Sequence, residues 1–394
     1  MSEKNVVLIR NGELHDAIRK AGRKADLLIE NGKIAKISKN IKAPAGARII
    51  DASGLRVYPG FIDAHCHVGL SDFATRNHDY NEYTCPVTPH LRAIDAFNPF
   101  DLSVRQAALG GVTAFATGPG SANVVCGTFF AVKPFGTRVD DMIVKDPVAM
   151  KAAFGENPRG CYSEKSIASR MTTAALLREL LFKTREYMEK IEAAGEDRSK
   201  LPGFDMKLEA MIPVLKGELP LKVHAHQAND IFTAIRIAHE FNLKITLDHC
   251  TEGHLIASEL AREGFPVAVG PTAGFPHKLE LQNKSFVTPG VLAEAGCLVS
   301  IITDADVIES KYLPLMAAFA VKAGMDPFEA LKAVTINPAK MLGLDGRIGS
   351  LEAGKDADIL VTTADPLSDF PVNEYRHILI NGIEIEQDFS VSAR

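Results

Sequence analysis

Hydrophobic segments of strand length alternate with longer amphipathic segments through the middle of this 394-residue chain. Short apolar runs predict strands, whereas apolar residues spaced three and four apart predict helices. Helical patterns include Ser169–Ala193, Ile231–Phe241, Leu255–Glu263 and Val291–Ala295. The strand candidates are Phe61–His67, Thr113–Thr117, Thr128–Pro134, Ala149–Phe154, Lys222–His226, Lys244–His249, Val267–Val269 and Leu298–Thr303. This alternation favours an α/β protein with a (β/α)8 TIM-like barrel over a doubly wound sheet.

Short strands separated by Asn-Gly turns occupy both ends of the chain, and such turns are typical of hairpins. The candidates are Val6–Arg10, Ala25–Glu30, Ile34–Ser38, Arg48–Asp51, Asp358–Thr362 and His377–Ile380. We therefore expect residues 1–58 and 350–394 to form one small β-sandwich domain, and residues 59–349 to form the barrel. The polar, aromatic segment 70–100 is predicted to be an active-site loop. The charged helical segment 165–218 is predicted to lie on the exterior.

Two histidines, His65 and His67, close the first strand candidate of the barrel. Side chains alternate along a strand, so both imidazoles point to the same face. Neutral imidazole is the commonest metal ligand in proteins. A pair of histidines on a solvated face is the alternative, but here the pair ends an apolar strand. The pattern therefore indicates a divalent metal site.

Polar residues also close the fifth, sixth and eighth strand candidates. His224 and His226 share a face of the fifth, His249 ends the sixth, and Asp304 follows the eighth. Each alone is compatible with a satisfied polar group in the core. Barrel active sites lie at the carboxyl ends of the strands, and unpaired buried polar groups are costly. Together these residues predict a histidine-rich cage, completed by a carboxylate, for zinc or a similar divalent ion.

The charge and composition of the chain indicate which kinds of molecule it binds. The formal net charge is −5 and the chain has no long basic run, which argues against nucleic acid. No apolar run reaches the roughly 20 residues that cross a bilayer, and the first residues carry no secretory signal. Six cysteines without CxxC spacing are typical of free thiols in a reducing compartment. We expect a cytoplasmic homo-oligomer that acts on a small molecule and binds neither nucleic acid nor membrane.

Several motifs resemble those of the amidohydrolase superfamily, and the resemblance covers essentially the whole chain. The barrel motifs are PGFIDAHCHVG on the first strand, VHAH on the fifth, LDHC on the sixth and ITDA on the eighth. The tail INPAKMLGLDGRIGSLEAGKDADILV resembles the return into the small β domain of that family. Within the superfamily the chain looks most similar to the imidazolonepropionase-like and Xaa-Pro-dipeptidase-like branch.

The resemblance implies a ligand set for one or two divalent ions, most simply zinc. His65, His67 and Asp304 would hold the first ion, and His224 and His249 the second. A mononuclear site, as in imidazolonepropionase-like members, would instead use His65, His67, His224 and Asp304.

Binuclear members of the superfamily bridge their metals with a carboxylated lysine or a glutamate. Lys151 matches the apolar-Lys-apolar pattern of the fourth strand, although a helix-surface lysine is an equal interpretation. A buried lysine with a lowered pKa could take up CO2 to form an anionic carbamate. Lys133, on the third strand candidate, is the competing choice.

The resemblance also implies catalytic roles. Asp304 would accept a proton from water and later deliver it to the leaving nitrogen. His226 would contact the oxyanion or the substrate, unless it only orients a ligand. Substrate contacts are predicted for Arg159, Tyr162 and Asn123, although a surface position for Arg159 is the simpler interpretation.

The sequence thus predicts metal-dependent hydrolysis of a C–N bond in an N-acyl amino acid, a dipeptide or a cyclic amide. A mononuclear deaminase of a small heterocycle is the alternative enzyme. A non-catalytic assembly protein is a third possibility, but relatives of that kind lose metal ligands that this chain retains.

Overall fold

The computed structural model describes residues 6–71, 78–369 and 375–387. Its strands are β1 (Val6–Leu14), β2 (Arg23–Glu30), β3 (Lys33–Ser38), β4 (Arg48–Asp51), β5 (Arg56–Pro59), β6 (Phe61–Cys66), β7 (Val112–Thr117), β8 (Val125–Val132), β9 (Ile143–Ala153), β10 (Leu221–Ala225), β11 (Ile245–His249), β12 (Val267–Val269), β13 (Val299–Ile301), β14 (Ile359–Thr362), β15 (Tyr375–Ile380) and β16 (Ile383–Glu384). Its α-helices are α1 (Leu102–Leu109), α2 (Val139–Met142), α3 (Glu156–Tyr162), α4 (Arg170–Ala194), α5 (Met206–Leu215), α6 (Ala228–Phe241), α7 (Ala257–Glu263), α8 (Thr288–Glu294), α9 (Leu313–Lys322), α10 (Pro327–Ala333) and α11 (Ile336–Met341).

The central sheet contains eight strands in chain order, from β6 to β13. Each of the eight predicted barrel strands overlaps one of them, with ends that differ by a few residues. The two outer strands meet at a seam, where the amide of Asp304 donates to the carbonyl of His65 at 3.2 Å and the amide of His67 donates to that of Ala305. The sheet is therefore a nearly closed barrel, which confirms the α/β class and the TIM-like architecture.

Strand β8 runs in the opposite direction to its neighbours. It pairs antiparallel with both β7 and β9, whereas the pairs from β9 to β13 are parallel. The predicted alternation of strands and helices is therefore wrong in this part of the barrel. Only residues 118–124 join β7 to β8, and a chain this short can return antiparallel but cannot cross over to a parallel neighbour. The carboxyl end of β8 consequently lies at the opposite end of the barrel from those of the parallel strands.

A second sheet combines strands from both ends of the chain, as predicted. Its order is β16-β15-β14-β5-β1-β2-β3, and β4 also pairs with β1. Val7, Ile9, Leu27, Ile359 and Leu379 are among the side chains of its apolar core. Strand β5 pairs with β14 and leads directly into β6, so this sheet joins the barrel where the barrel strands begin. The β-sandwich form and the division at residues 58 and 350 stay predictions.

The charged segment 165–218 contains helices α4 and α5. Helix α4 begins after Ser169, whose side chain accepts a hydrogen bond from the amide of Thr172, as an N-cap does. One face of α4 is buried, including Leu177 and Leu181, and the other carries exposed ion pairs such as Lys183–Glu179. The segment is thus amphipathic, and only its outer face is solvated. In the predicted active-site loop, residues 72–77 lie outside the described part of the chain. Among the described residues, no helix is long and apolar enough to cross a membrane.

Candidate metal centre

The polar residues predicted at the strand ends converge on one cavity of about 430 Å³. It lies at the carboxyl ends of the parallel strands, and His67, His224, His226 and Asp304 are among the side chains that line it. Two groups of ligand atoms form there, each with its atoms within 4.8 Å of one another. One group is His65, His67 and Asp304, and the other is His224, His226 and His249.

The first group joins the two edges of the barrel seam. The Nε2 atoms of His65 and His67 each lie 3.3 Å from Oδ1 of Asp304. The Nδ1 atoms lie on the far side of each ring. Nδ1 of His65 is 2.7 Å from a carboxylate oxygen of Asp248, and Nδ1 of His67 is 2.7 Å from the carbonyl oxygen of Gly118. These oxygens only accept hydrogen bonds, so both Nδ1 atoms donate.

In the neutral tautomer this leaves two unprotonated Nε2 atoms facing the Asp304 oxygen. Acceptors that face one another at 3.3 Å repel unless a cation or a proton lies between them. This donor set, two imidazoles and a carboxylate, therefore fits a divalent metal ion.

The second group consists of three buried histidines whose Nε2 atoms have no hydrogen-bond partner among the described residues. Their Nδ1 atoms are held by Ser121 Oγ at 2.9 Å for His224, Thr251 Oγ1 at 2.7 Å for His226 and the Gly270 carbonyl at 2.8 Å for His249. Burial lowers the pKa of all three, that of His249 to about 3, so the rings are neutral at pH 7. The Gly270 carbonyl only accepts, so Nε2 of His249 carries its lone pair, and the hydroxyl partners of His224 and His226 can accept as well, which would free their Nε2 atoms in the same way. Neutral rings oriented in this way fit a metal ion.

The sequence offered two lysines, Lys151 and Lys133, as the candidate bridging ligand, and the structure places them far apart in the fold. Lys151 is fully buried on β9, and its Nζ lies 3.3 Å from Nε2 of His65. The pKa of Lys151 is lowered to about 8, chiefly because the amine is buried. The Asp248 carboxylate acts in the opposite direction and raises this pKa. Lys133 follows the reversed strand β8 and lies against the second sheet, with Nζ 3.0 Å from Asp356 and 2.8 Å from Asp358. Lys151, and not Lys133, is therefore the lysine at the histidine cluster.

Two backbone positions at the cavity lie in the left-handed region. His249 has φ +73° and Asp304 has φ +51°. Side chains other than glycine rarely adopt such angles, and each costs on the order of 1–3 kcal/mol unless its surroundings impose it. The turn at His249 interrupts the alternation along β11, so that Asp248 and His249 both reach His65. Such strain is typical of functional sites.

Two acidic residues at the site were not predicted from the sequence. Asp248 holds Nδ1 of His65 and also pairs with the buried Lys222 at 3.1 Å. Its position beside His249 was the available signal, although strict strand alternation would place it on the face opposite His249. Glu280 is fully buried, with a carboxylate oxygen 3.7 Å from Nε2 of His226 and 2.7 Å from Nζ of Lys278. It lies between β12 and α8, where no sequence pattern marked it.

The residues predicted to contact substrate lie apart from the histidines. The amide group of Asn123 bonds to Thr88 and to the Cys85 carbonyl, and the hydroxyl of Tyr162 bonds to Asn123. Arg159 is half-buried on α3, and its Nε has no partner among the described residues. None of the three is among the described residues that line the cavity. Their predicted roles stay predictions that this geometry does not support.

Comparison with known proteins agrees with the site. Residues 56–383 match the sequence profile of the amidohydrolase family. An amidohydrolase from Thermotoga maritima of known structure is 39% identical and superposes with a TM-score of 0.92, covering 96% of this chain and 99% of that one. The imidazolonepropionase of Thermoplasma volcanium is 24% identical over 91% of this chain and 89% of its own. Amidohydrolase tasK of Hapsidospora irregularis is 29% identical over 87% of this chain, which spans 38% of that relative's length. This chain belongs to the amidohydrolase family of metal-dependent hydrolases that act on carbon–nitrogen bonds.

Proposed function

We propose that this protein hydrolyses an amide or peptide-like C–N bond of a small molecule at the cavity that the two histidine groups share. The observation that carries the proposal is that two groups of possible metal ligands, one formed by His65, His67 and Asp304 and the other by three histidines, meet at one cavity of about 430 Å³. A cavity of this size accommodates a small-molecule substrate. The names of two curated relatives, imidazolonepropionase and dihydroorotase, are consistent with cyclic amides as well as open-chain ones.

We propose zinc as the metal, because imidazole nitrogen and carboxylate oxygen are ligands that zinc prefers. A bound divalent ion lowers the pKa of water to about 7 and polarises the substrate carbonyl. The two histidine groups provide ligands for two ions, and Lys151 lies where a carbamate formed with CO2 could connect them. The support for this modification is the full burial of the amine and its 3.3 Å contact with His65.

The side chains of the cavity then have separate roles in the reaction. Asp304 accepts a proton as water adds to the carbonyl carbon, and it returns that proton to the nitrogen as the C–N bond breaks. In the second group His224 and His249 would hold the ion, which leaves Nε2 of His226 to contact the substrate from the cavity wall. Glu280 and Lys278 form an ion pair behind it, which holds the cavity wall in place.

The proposal is tested first by metal content and then by hydrolysis. Protein prepared with bicarbonate and without chelator is expected to contain about two metal ions per chain, and its intact mass is expected to exceed that of a Lys151→Met variant, corrected for the substitution, by one CO2. A panel of N-acyl amino acids, dipeptides and cyclic amides is then assayed for release of amine. One ion per chain together with release of ammonia from heterocyclic amines would favour a deaminase. Absence of metal after reconstitution with zinc would overturn the proposal.

A further inference from the structure

Two of the charged side chains that line the cavity are cations, and these two differ in their partners. Among the described residues, those that line it are Glu156, Lys278, Lys284, Asp304 and Asp306. Glu156 accepts a hydrogen bond from the backbone amide of Glu280 at 3.2 Å, and Lys278 forms an ion pair with the Glu280 carboxylate at 2.7 Å. Asp304 faces the first histidine group, and Asp306 accepts a hydrogen bond from the hydroxyl of Tyr80 at 3.1 Å. Of the two cations, only Lys278 has a carboxylate partner among the described residues.

The ammonium of Lys284 donates to the carbonyl oxygen of Ala273 at 3.1 Å and has no carboxylate partner among the described residues. An ammonium carries three donors, so two remain for a ligand. Burial, followed by the charge of Lys278, lowers the pKa of Lys284. An unpaired, half-buried cation is costly, and its cost falls when an anion enters the cavity.

The chain segment that leads into Lys284 is anchored at three points. The backbone amide of Lys284 donates to the carbonyl of Leu281 at 3.0 Å, and the side chain of the preceding Asn283 donates to Glu252 at 2.9 Å. Earlier in the same segment, the Glu280 carboxylate accepts from the amide of Glu156 at 2.8 Å. The ammonium is therefore held at the cavity by fixed backbone, and it is not a freely moving surface charge.

We propose that Lys284 binds a carboxylate of the substrate, so that the preferred substrates are amides that carry one free carboxylate, such as N-acyl amino acids. This inference rests on the proposed function and names its substrate class. A singly charged carboxylate matches the one cation that lines the cavity without a carboxylate partner among the described residues. A phosphate ester would bring about two negative charges at pH 7 into a wall that already holds Asp304 and Asp306.

The test compares N-acetyl-L-amino acids with their uncharged primary amides. Both panels are assayed for hydrolysis by the zinc-loaded wild type, Lys284→Met, Lys284→Arg and Lys340→Met, the last of which removes an exposed lysine of α11. The wild type and Lys340→Met are expected to favour the acids about tenfold or more in kcat/KM, as a charge-assisted hydrogen bond predicts. Lys284→Met is expected to lose this preference through a higher KM, and Lys284→Arg to keep part of it.

Binding of the same compounds to chelator-treated protein, measured by ligand-observed NMR, separates the two proposals. Hydrolysis without preference for the acids, unchanged in Lys284→Met, would overturn the role of Lys284 and leave the proposed function standing. Binding of the acids that Lys284→Met abolishes, with no amide hydrolysed by zinc-loaded protein, would support the carboxylate site and overturn the proposed function. No binding of the acids, together with no hydrolysis of any N-acyl amino acid, dipeptide or cyclic amide by zinc-loaded protein, would overturn both.

Discussion

Each histidine of the metal centre is oriented from behind by a hydrogen bond at Nδ1. The partners differ, from the Asp248 carboxylate to the Gly118 and Gly270 carbonyls and two hydroxyl groups. The common result is that Nε2 faces the cavity. Such supporting contacts fix the ring and raise its basicity, so their loss weakens metal binding even when every ligand is kept.

We expect Asp248→Asn to weaken metal affinity by about 10- to 100-fold, the usual cost of losing such a partner. The carboxylate orients His65 and also neutralises Lys222, so the single variant is also expected to lose stability. Competition with a chelator measures the affinity. The double variant Asp248→Asn, Lys222→Met removes the unpaired cation and is the control. It should recover stability but not affinity, and recovery of both would contradict the orienting role.

Asp304→Asn is expected to lower kcat by about 100- to 10,000-fold, the range for loss of a general acid–base group. The amide cannot take a proton from water and donate it to the leaving nitrogen. Steady-state kinetics on whichever amide the wild type hydrolyses measures the effect. The exposed Asp345→Asn should remain within twofold of the wild type. A similar kcat for Asp304→Asn would assign the proton transfer to another group.

The sequence predicted the histidines and Asp304 because strand-end position is a local property. It could not choose between Lys151 and Lys133, because that choice depends on strand direction. It also missed Glu280, whose place beside His226 follows from a loop conformation that no local pattern encodes.

At the scale of elements, the reversed strand β8 decides where its last residues go. Sequence periodicity identifies strands but carries no information on their direction, so β8 was predicted as one more parallel strand. Its reversal carries Lys133 to the second sheet, where Asp356 and Asp358 neutralise it. The ion pairs of Lys133 with Asp356 and Asp358 therefore connect the barrel to the sheet that is built from both chain ends.

We expect Lys133→Met to destabilise the fold by about 3–5 kcal/mol, because it leaves the buried carboxylate of Asp358 without its cation. Lys33→Met is the matched control. Lys33 pairs with the same Asp356 at 2.8 Å, but its side chain is 54% exposed, so about 0–1 kcal/mol is expected. Urea unfolding of both variants measures the difference. Equal losses would show that burial of the Lys133 pair adds nothing.

For the whole molecule, the hydrophobic pattern predicted the barrel class because eight apolar segments of strand length can bury their side chains together in a closed sheet. The joint sheet of both chain ends followed from Asn-Gly turns at each end. The pattern did not predict how the barrel closes, since the contacts of Asp304 and Ala305 with His65 and His67 join residues more than 200 positions apart.

Removal of metal is expected to lower both activity and thermal stability. A ligand that binds only the folded state stabilises it by about 4 kcal/mol when present at 1,000 times its dissociation constant. Differential scanning fluorimetry before and after chelation measures the change, and added zinc should restore both properties. An unchanged melting temperature, with metal loss verified by elemental analysis, would show that the histidine groups do not hold the ion.

The position of the metal site at the seam of the barrel implies that a bound ion would also stabilise the closed sheet. His65 and His67 lie on one side of the seam and Asp304 on the other, and the described strands meet there through few backbone hydrogen bonds. An ion bound by these three residues would link the two edge strands where few backbone hydrogen bonds connect them. Hydrogen exchange reports local opening, so chelation should speed exchange first at the amides of His67 and Asp304. The metal centre would then stabilise the closed barrel as well as catalyse the reaction. Inhibitors that remove the metal would therefore also destabilise the fold.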